Sequence, residues 1–115
     1  MIIVTATIEY SSRANRDAAV EASQSYQQAT RDDEPGCIAY CFAADPCAET
    51  RVQVYEAWDD GPSLAEHLKH PNYFNMRDTL GKFDMVSAES AAHNVSESTT
   101  VYDETGVPRT SFFGG

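Results

Sequence analysis

The chain reads as an α+β domain with four antiparallel strands and helices on one face. Three observations carry this: period-two alternation in two separate segments, helical spacing between and after them, and turn residues at the junctions. In residues 2–10, Ile2, Val4, Ala6, Ile8 and Tyr10 share one face, with Thr5, Thr7 and Glu9 on the other, as in a half-buried strand. Ser11 and Ser12 offer an N-cap, and Asp17 is expected in the first helical turn, where the dipole favours an anion. From Ala14 to Thr30 the spacing predicts a helix with a stripe of Ala18, Ala22, Tyr26 and Ala29, ended by Asp32-Asp33-Glu34-Pro35-Gly36.

Cys37 to Ala44 is apolar on both faces and predicts a strand covered on both sides. After a loop opening at Asp45-Pro46, Arg51 to Asp59 alternates again, with Val52, Val54, Glu56 and Trp58 on one face. The short connection predicts a hairpin. Asp60-Gly61-Pro62 starts a second helix on which Leu64, His67 and Leu68 share a face. Pro71 restarts it, and Tyr73, Met76, Leu80 and Phe83 form its next stripe. Beyond Phe83 the chain turns Ser- and Ala-rich, and a last strand is expected within His93 to Tyr102, marked by Val95 and Val101. The order strand, helix, strand, strand, broken helix, strand is the ferredoxin-like split βαβ pattern. One domain over residues 1–115 is expected, with a core of 2–102 and a tail of 103–115. The sheet face away from the helices needs a cover, and a second copy of the chain is the simplest, giving a homodimer whose sheets face each other. Phe112 and Phe113 near the end of the chain hint at docking on that partner.

Composition narrows function. The 115 residues include 18 acidic and 8 basic side chains, a net charge of −10, with Lys69 and Lys82 the only lysines. Nucleic-acid phosphates and anionic membranes are poor partners for such a chain. No apolar run approaches the roughly 20 residues of a membrane span, and no basic leader precedes Glu9, so a cytoplasmic protein is expected. Cys37, Cys41 and Cys47 are expected to be free thiols. Four residues of strand would separate Cys37 from Cys41 by about 13 Å, beyond a disulfide. No second close ligand pair accompanies them, so no metal site is expected.

Three stretches, in order, resemble the antibiotic biosynthesis monooxygenase domain of the quinol monooxygenase type: Glu34-Pro35-Gly36-Cys37, Val54-Tyr55-Glu56-Ala57-Trp58, and Leu64-Ala65-Glu66-His67-Leu68 with Pro71 and a following aromatic. The resemblance covers about residues 2–83. It implies a dimeric α+β barrel with a pocket between sheet and helices. It also implies oxidation of a small phenolic, quinol or anthrone-like aromatic by dioxygen without flavin, metal or other cofactor. The substrate supplies the electrons once deprotonated; the protein supplies a dry pocket, a base and a donor for the oxyanion.

Trp58 and His67 match the family's pocket tryptophan and helix histidine. Trp58 can stack on a flat substrate or serve as a core residue. His67 can act as a base, or be held by a backbone carbonyl or by Glu56. Glu56 can orient His67 or take a proton itself, or else pair with Arg77 or Arg51. Asn72 and Tyr73 stand where relatives often carry a second histidine and an aromatic; Asn72 can hydrogen-bond but is no base. Tyr26, Tyr40 and Phe74 are pocket or core aromatics. Haem-degrading members of the same fold add a first-strand asparagine, where this chain has Thr5 and Thr7. A non-enzymatic dimeric module binding a hydrophobic ligand is the alternative function.

Overall fold

A computed structural model describes all residues 1–115. Strand β1 (Ile2–Tyr10) leads into helix α1 (Arg13–Asp33), then β2 (Cys37–Ala44) and β3 (Arg51–Trp58). Helices α2 (Gly61–His67) and α3 (Pro71–Leu80), a 3-10 turn (Gly81–Phe83) and β4 (Met85–Asn94) complete the order. The strands form one antiparallel sheet in the order β2-β3-β1-β4, the expected ferredoxin-like topology.

The register lays the helix-facing side chains in rows. Tyr40, Glu56, Val4 and Ala92 make one row; Phe42, Val54, Ala6 and Ser90 the next. Ile8, Val52, Val54, Tyr40 and Trp58 are buried against Ala19 of α1 and Met76 and Leu80 of α3. The Tyr10 hydroxyl donates to the Leu80 carbonyl at 3.0 Å, tying the end of β1 to the end of α3.

Helix α1 departs from its expected stripe. Ser12 caps it, accepting from the Asn15 N–H at 3.1 Å. No acidic residue lies in its first turn, and Asp17 instead meets Arg13 and Arg16. The buried residues are Arg16, Ala19, Ser23, Gln27 and Thr30, one step round from Ala18, Ala22, Tyr26 and Ala29. Most of the polar members meet backbone groups, Ser23 donating to the Val20 carbonyl at 2.9 Å, while the buried Thr30 hydroxyl has no partner. Gln27 accepts from the Phe42 N–H at 2.9 Å and donates to the Phe42 carbonyl at 3.1 Å. Arg31 donates to the Tyr40 carbonyl at 2.7 Å. Arg16 donates to the carbonyls of Asp45, Ala48 and Arg51, closing the β2–β3 connection. Side chains of α1 thereby seal the outer edge of β2.

The last strand is Met85–Asn94, upstream of the expected His93–Tyr102. It begins directly after Asp84, whose left-handed backbone (φ 60°) turns the chain out of the 3-10 segment. Nearly every residue of β1 then finds a partner, from Ile2↔Asn94 to Glu9↔Ser87. Backbone pairing, not apolar alternation, holds this edge strand, so its Ala and Ser residues gave no period-two signal. Residues 96–115 are exposed. Within them a hairpin closes through the Tyr102–Pro108 bridge, with the Asp103 carboxylate accepting from the N–H groups of Thr105 and Val107. The face away from the helices is bare: Ile38 and Tyr55, 55% and 49% exposed, mark it together with Cys41 and Ala43. In this chain alone β2 is therefore covered on one side only.

Gly36 carries a local constraint. A Cβ there would lie 2.3 Å from Ser63 Oγ and 2.4 Å from Ser63 Cβ. Gly36→Ala is expected to destabilise the fold by about 1–3 kcal/mol, as overpacking does, and Ser63→Gly on the same chain is expected to restore much of it. Thermal unfolding of the two variants checks this.

Candidate functional site

Gly36 matters because it fastens α2 to the end of α1. Its carbonyl accepts from the Asp59 N–H at 2.9 Å, and Asp60 caps α2 by accepting from the Ser63 N–H at 2.8 Å. Helix α2 is only seven residues long and ends at His67. Its close approach to the Glu34-Pro35-Gly36 turn brings His67 to Glu34, the C-cap of α1.

His67 Nδ1 lies 2.9 and 3.0 Å from the two Glu34 carboxylate oxygens. A carboxylate only accepts, so Nδ1 carries the proton and donates. Asn72 Nδ2 donates to the same carboxylate at 3.3 Å. The hydrogen bonds of the ring are made by Nδ1 alone, which leaves Nε2 with no protein partner, and His67 lines a pocket between sheet and helices. Trp58 stacks on His67 with ring centroids 4.6 Å apart and planes 34° apart, and Tyr40 and Tyr73 present edges to it at 5.3 and 5.7 Å. The Trp58 indole N–H donates to Glu56 at 3.0 Å.

The electrostatics follow from this packing. Burial holds the His67 imidazole below its ordinary value of 6.5, with the Glu34 hydrogen bond opposing. At neutral pH the ring is then neutral, with a lone pair on Nε2. Burial pushes the Glu56 carboxyl up to about 7; the Trp58 hydrogen bond opposes this and the Glu34 charge adds to it. Glu56 has no cationic partner, since Arg51 pairs with Glu9 and Arg77 with Asp78. Burial and nearby carboxylates also raise the Tyr40 phenol well above its usual range.

The pocket, about 450 Å³, lies between the helix-facing side of the sheet, with residues from all four strands, and helices α2 and α3. His67, Glu56, Tyr40 and Tyr73 line it, among Val4, Ile8, Leu64 and Met76. Trp58 is fully buried behind His67, and Asn72 is buried beside Glu34; both act on the pocket through their neighbours. Tyr26 packs on the core away from the pocket, and Phe74 lies outside its lining. Thr5 and Thr7 face the bare side of the sheet, where Thr5 bonds His93 at 2.9 Å. Sequence reasoning missed Glu34 as a site residue. The Glu-Pro-Gly stretch reads as a helix stop, but nothing local pairs Glu34 with a histidine 33 positions on. His67 is bonded to Glu34, not to Glu56 or a backbone carbonyl.

Fold and pocket together define a ferredoxin-like α+β domain with a largely apolar, aromatic-lined pocket into which one histidine is packed. The chain belongs to the antibiotic biosynthesis monooxygenase family, whose model matches residues 1–79. It is similar in structure to a candidate antibiotic biosynthesis monooxygenase from Deinococcus radiodurans: TM-score 0.78 and 22% identity, over 90% of this chain and 100% of the other. A candidate member from Nitrosomonas europaea gives 0.71 and 21%, over 84% and 100%. One from Caulobacter crescentus gives 0.73 and 14%, over 84% and 91%. At these identities the likeness is one of fold. No curated protein matches the sequence. No helix is long and apolar enough to cross a membrane.

Burial of Glu56 also bears on stability. Its value is about 7 in the fold against 4.5 unperturbed, so the folded state binds the extra proton between those values. Stability is then lost as pH rises from 4.5 through 7. Glu56→Gln keeps an acceptor for Trp58 and removes the charge. It is expected to be near neutral at pH 4.5 and to stabilise by about 2–3 kcal/mol at pH 8, read from denaturant unfolding at the two pH values.

Proposed function

We propose that this protein oxidises a small phenolic, quinol or anthrone-like aromatic with dioxygen, without a prosthetic group. One observation carries the reading: a neutral histidine, locked at Nδ1 by a buried carboxylate, turns its free Nε2 into an apolar pocket. Such a nitrogen is placed to take an acidic proton from an aromatic substrate. The resulting anion is electron-rich enough to reduce dioxygen and form a carbon–oxygen bond. Glu56, half-protonated near pH 7, then protonates the peroxide. Elimination then leaves the carbonyl: the remaining carbon-bound hydrogen passes as a proton to the Glu56 carboxylate, the O–O bond breaks, and the departing hydroxide takes the proton held by His67 and leaves as water. For an anthrone-type substrate the balance is one methylene group and one dioxygen consumed, one carbonyl group and one water formed. Both methylene hydrogens and one oxygen atom leave as the water, and the other oxygen stays on carbon. Tyr40 and Tyr73 would flank the substrate, while Trp58 fixes the His67 ring and Asn72 the Glu34 carboxylate.

The working form in this reading is a homodimer. The bare sheet face and the exposed arm bearing Val101, Tyr102, Phe112 and Phe113 together offer more apolar surface than a lone chain comfortably shows to water. A second copy covers both in a symmetric way. The three free thiols suit a reducing, cytoplasmic compartment.

Oxygen uptake with a panel of hydroquinones and anthrones tests the chemistry. Wild type is expected to exceed the protein-free rate. His67→Ala should lose about 100-fold or more, as for a removed general base, and Trp58→Phe less. No uptake with any compound would leave the pocket as a binding site for a hydrophobic ligand. Light scattering is expected to give twice the chain mass, and a monomer at micromolar concentration would refute the dimer.

A further inference from the structure

Arg77 is the only lysine or arginine lining the pocket. Its guanidinium lies over two rings of its own helix, 5.0 Å from the Phe74 centroid and 5.9 Å from that of Tyr73. Stacking of this kind holds a guanidinium in place while leaving its edge free to donate. Its one acidic partner, Asp78, meets Nε and Nη2 through a single oxygen at 3.2 Å, with both side chains more than half exposed. An exposed pair of that kind contributes little, and a ligand carboxylate can replace it at small cost.

Tyr73 joins this cation to the base. The His67 ring is 5.7 Å and the Arg77 guanidinium 5.9 Å from the Tyr73 ring. Both groups thus border one ring of the pocket wall. The other charged groups lining the pocket, Glu56 and Glu89, are acidic, and the chain carries a net charge of −10. An anionic ligand therefore has one place where its charge is met, and a neutral ligand makes no use of it.

We propose that Arg77 anchors a carboxylate, so that the substrate is an aromatic acid whose oxidisable hydroxyl or methylene faces His67 while its carboxylate pairs with the guanidinium. Phe74, outside the pocket lining, positions Arg77. This rests on the reading of the pocket as the substrate site, but it is tested by binding alone.

The experiment uses 2,5-dihydroxybenzoate and 1,4-dihydroxybenzene as probes, titrated without oxygen at pH 7 and low salt. Trp58, the single tryptophan, packs on His67 and reports binding by fluorescence. The carboxylated probe is expected to bind about tenfold tighter, as one charge-assisted bidentate contact allows, and the preference should shrink as salt rises. Arg77→Gln should bring the affinity ratio to near one, and Arg77→Lys should keep part of it. A wild-type ratio of one or below, no binding of either probe, or a ratio unchanged in Arg77→Gln overturns the anchor. A preference that disappears in Arg77→Gln, with no oxygen uptake for any aromatic acid, would sustain the anchor and sink the oxidation.

Discussion

The hydrogen bond between Glu34 and His67 is the contact on which the site depends. Both side chains are buried, and each would be costly to bury alone. Their pairing joins the end of α1 to the end of α2, and Asn72 adds the start of α3 to the same carboxylate. A seven-residue helix has little stability of its own; α2 gains its place from the Asp60 cap, the Gly36 contact and this buried bond. The ring orientation that exposes Nε2 to the pocket is thus a product of three helices meeting at one carboxylate.

The two carboxylates of the site sit in different surroundings, and the difference separates their tasks. Glu34 uses both oxygens on donors and serves as a fixed acceptor. Glu56 stands in a row with Tyr40 and Val4, has the Trp58 indole as its one donor, and is pushed toward neutrality near pH 7. In the proposed reaction, a group titrating near neutral pH in the same pocket as a neutral histidine would supply the proton donor to that histidine's proton acceptor. Trp58 links them mechanically, stacking on one and donating to the other.

The sheet is finished unevenly. Gln27 and Arg31 occupy the backbone groups at the β2 edge, while at the other edge β4 leads into an exposed arm with aromatic residues near its end. The family match stops at residue 79, before β4.

The two inner strands, the order of elements and the helix that carries His67 are legible in the sequence. Alternation in β1 and β3 and the caps at Ser12 and Asp60 are local signals, written in residues a few positions apart. Periodicity also put Glu56 on one strand face with Trp58, and His67 on one helix face with Leu64 and Leu68, while Tyr40 stayed open between pocket and core. The place of β4 emerges only in the folded chain, since backbone pairing with β1 does not require an apolar pattern. Folding likewise settles two further features. Only it rotated α1 onto a polar face, because the partners of Gln27 and Arg16 are carbonyls and amides of distant strands. And only it brought Glu34 to His67 and Arg77 to the pocket wall, since charge placement across helices depends on packing that no spacing within one helix records.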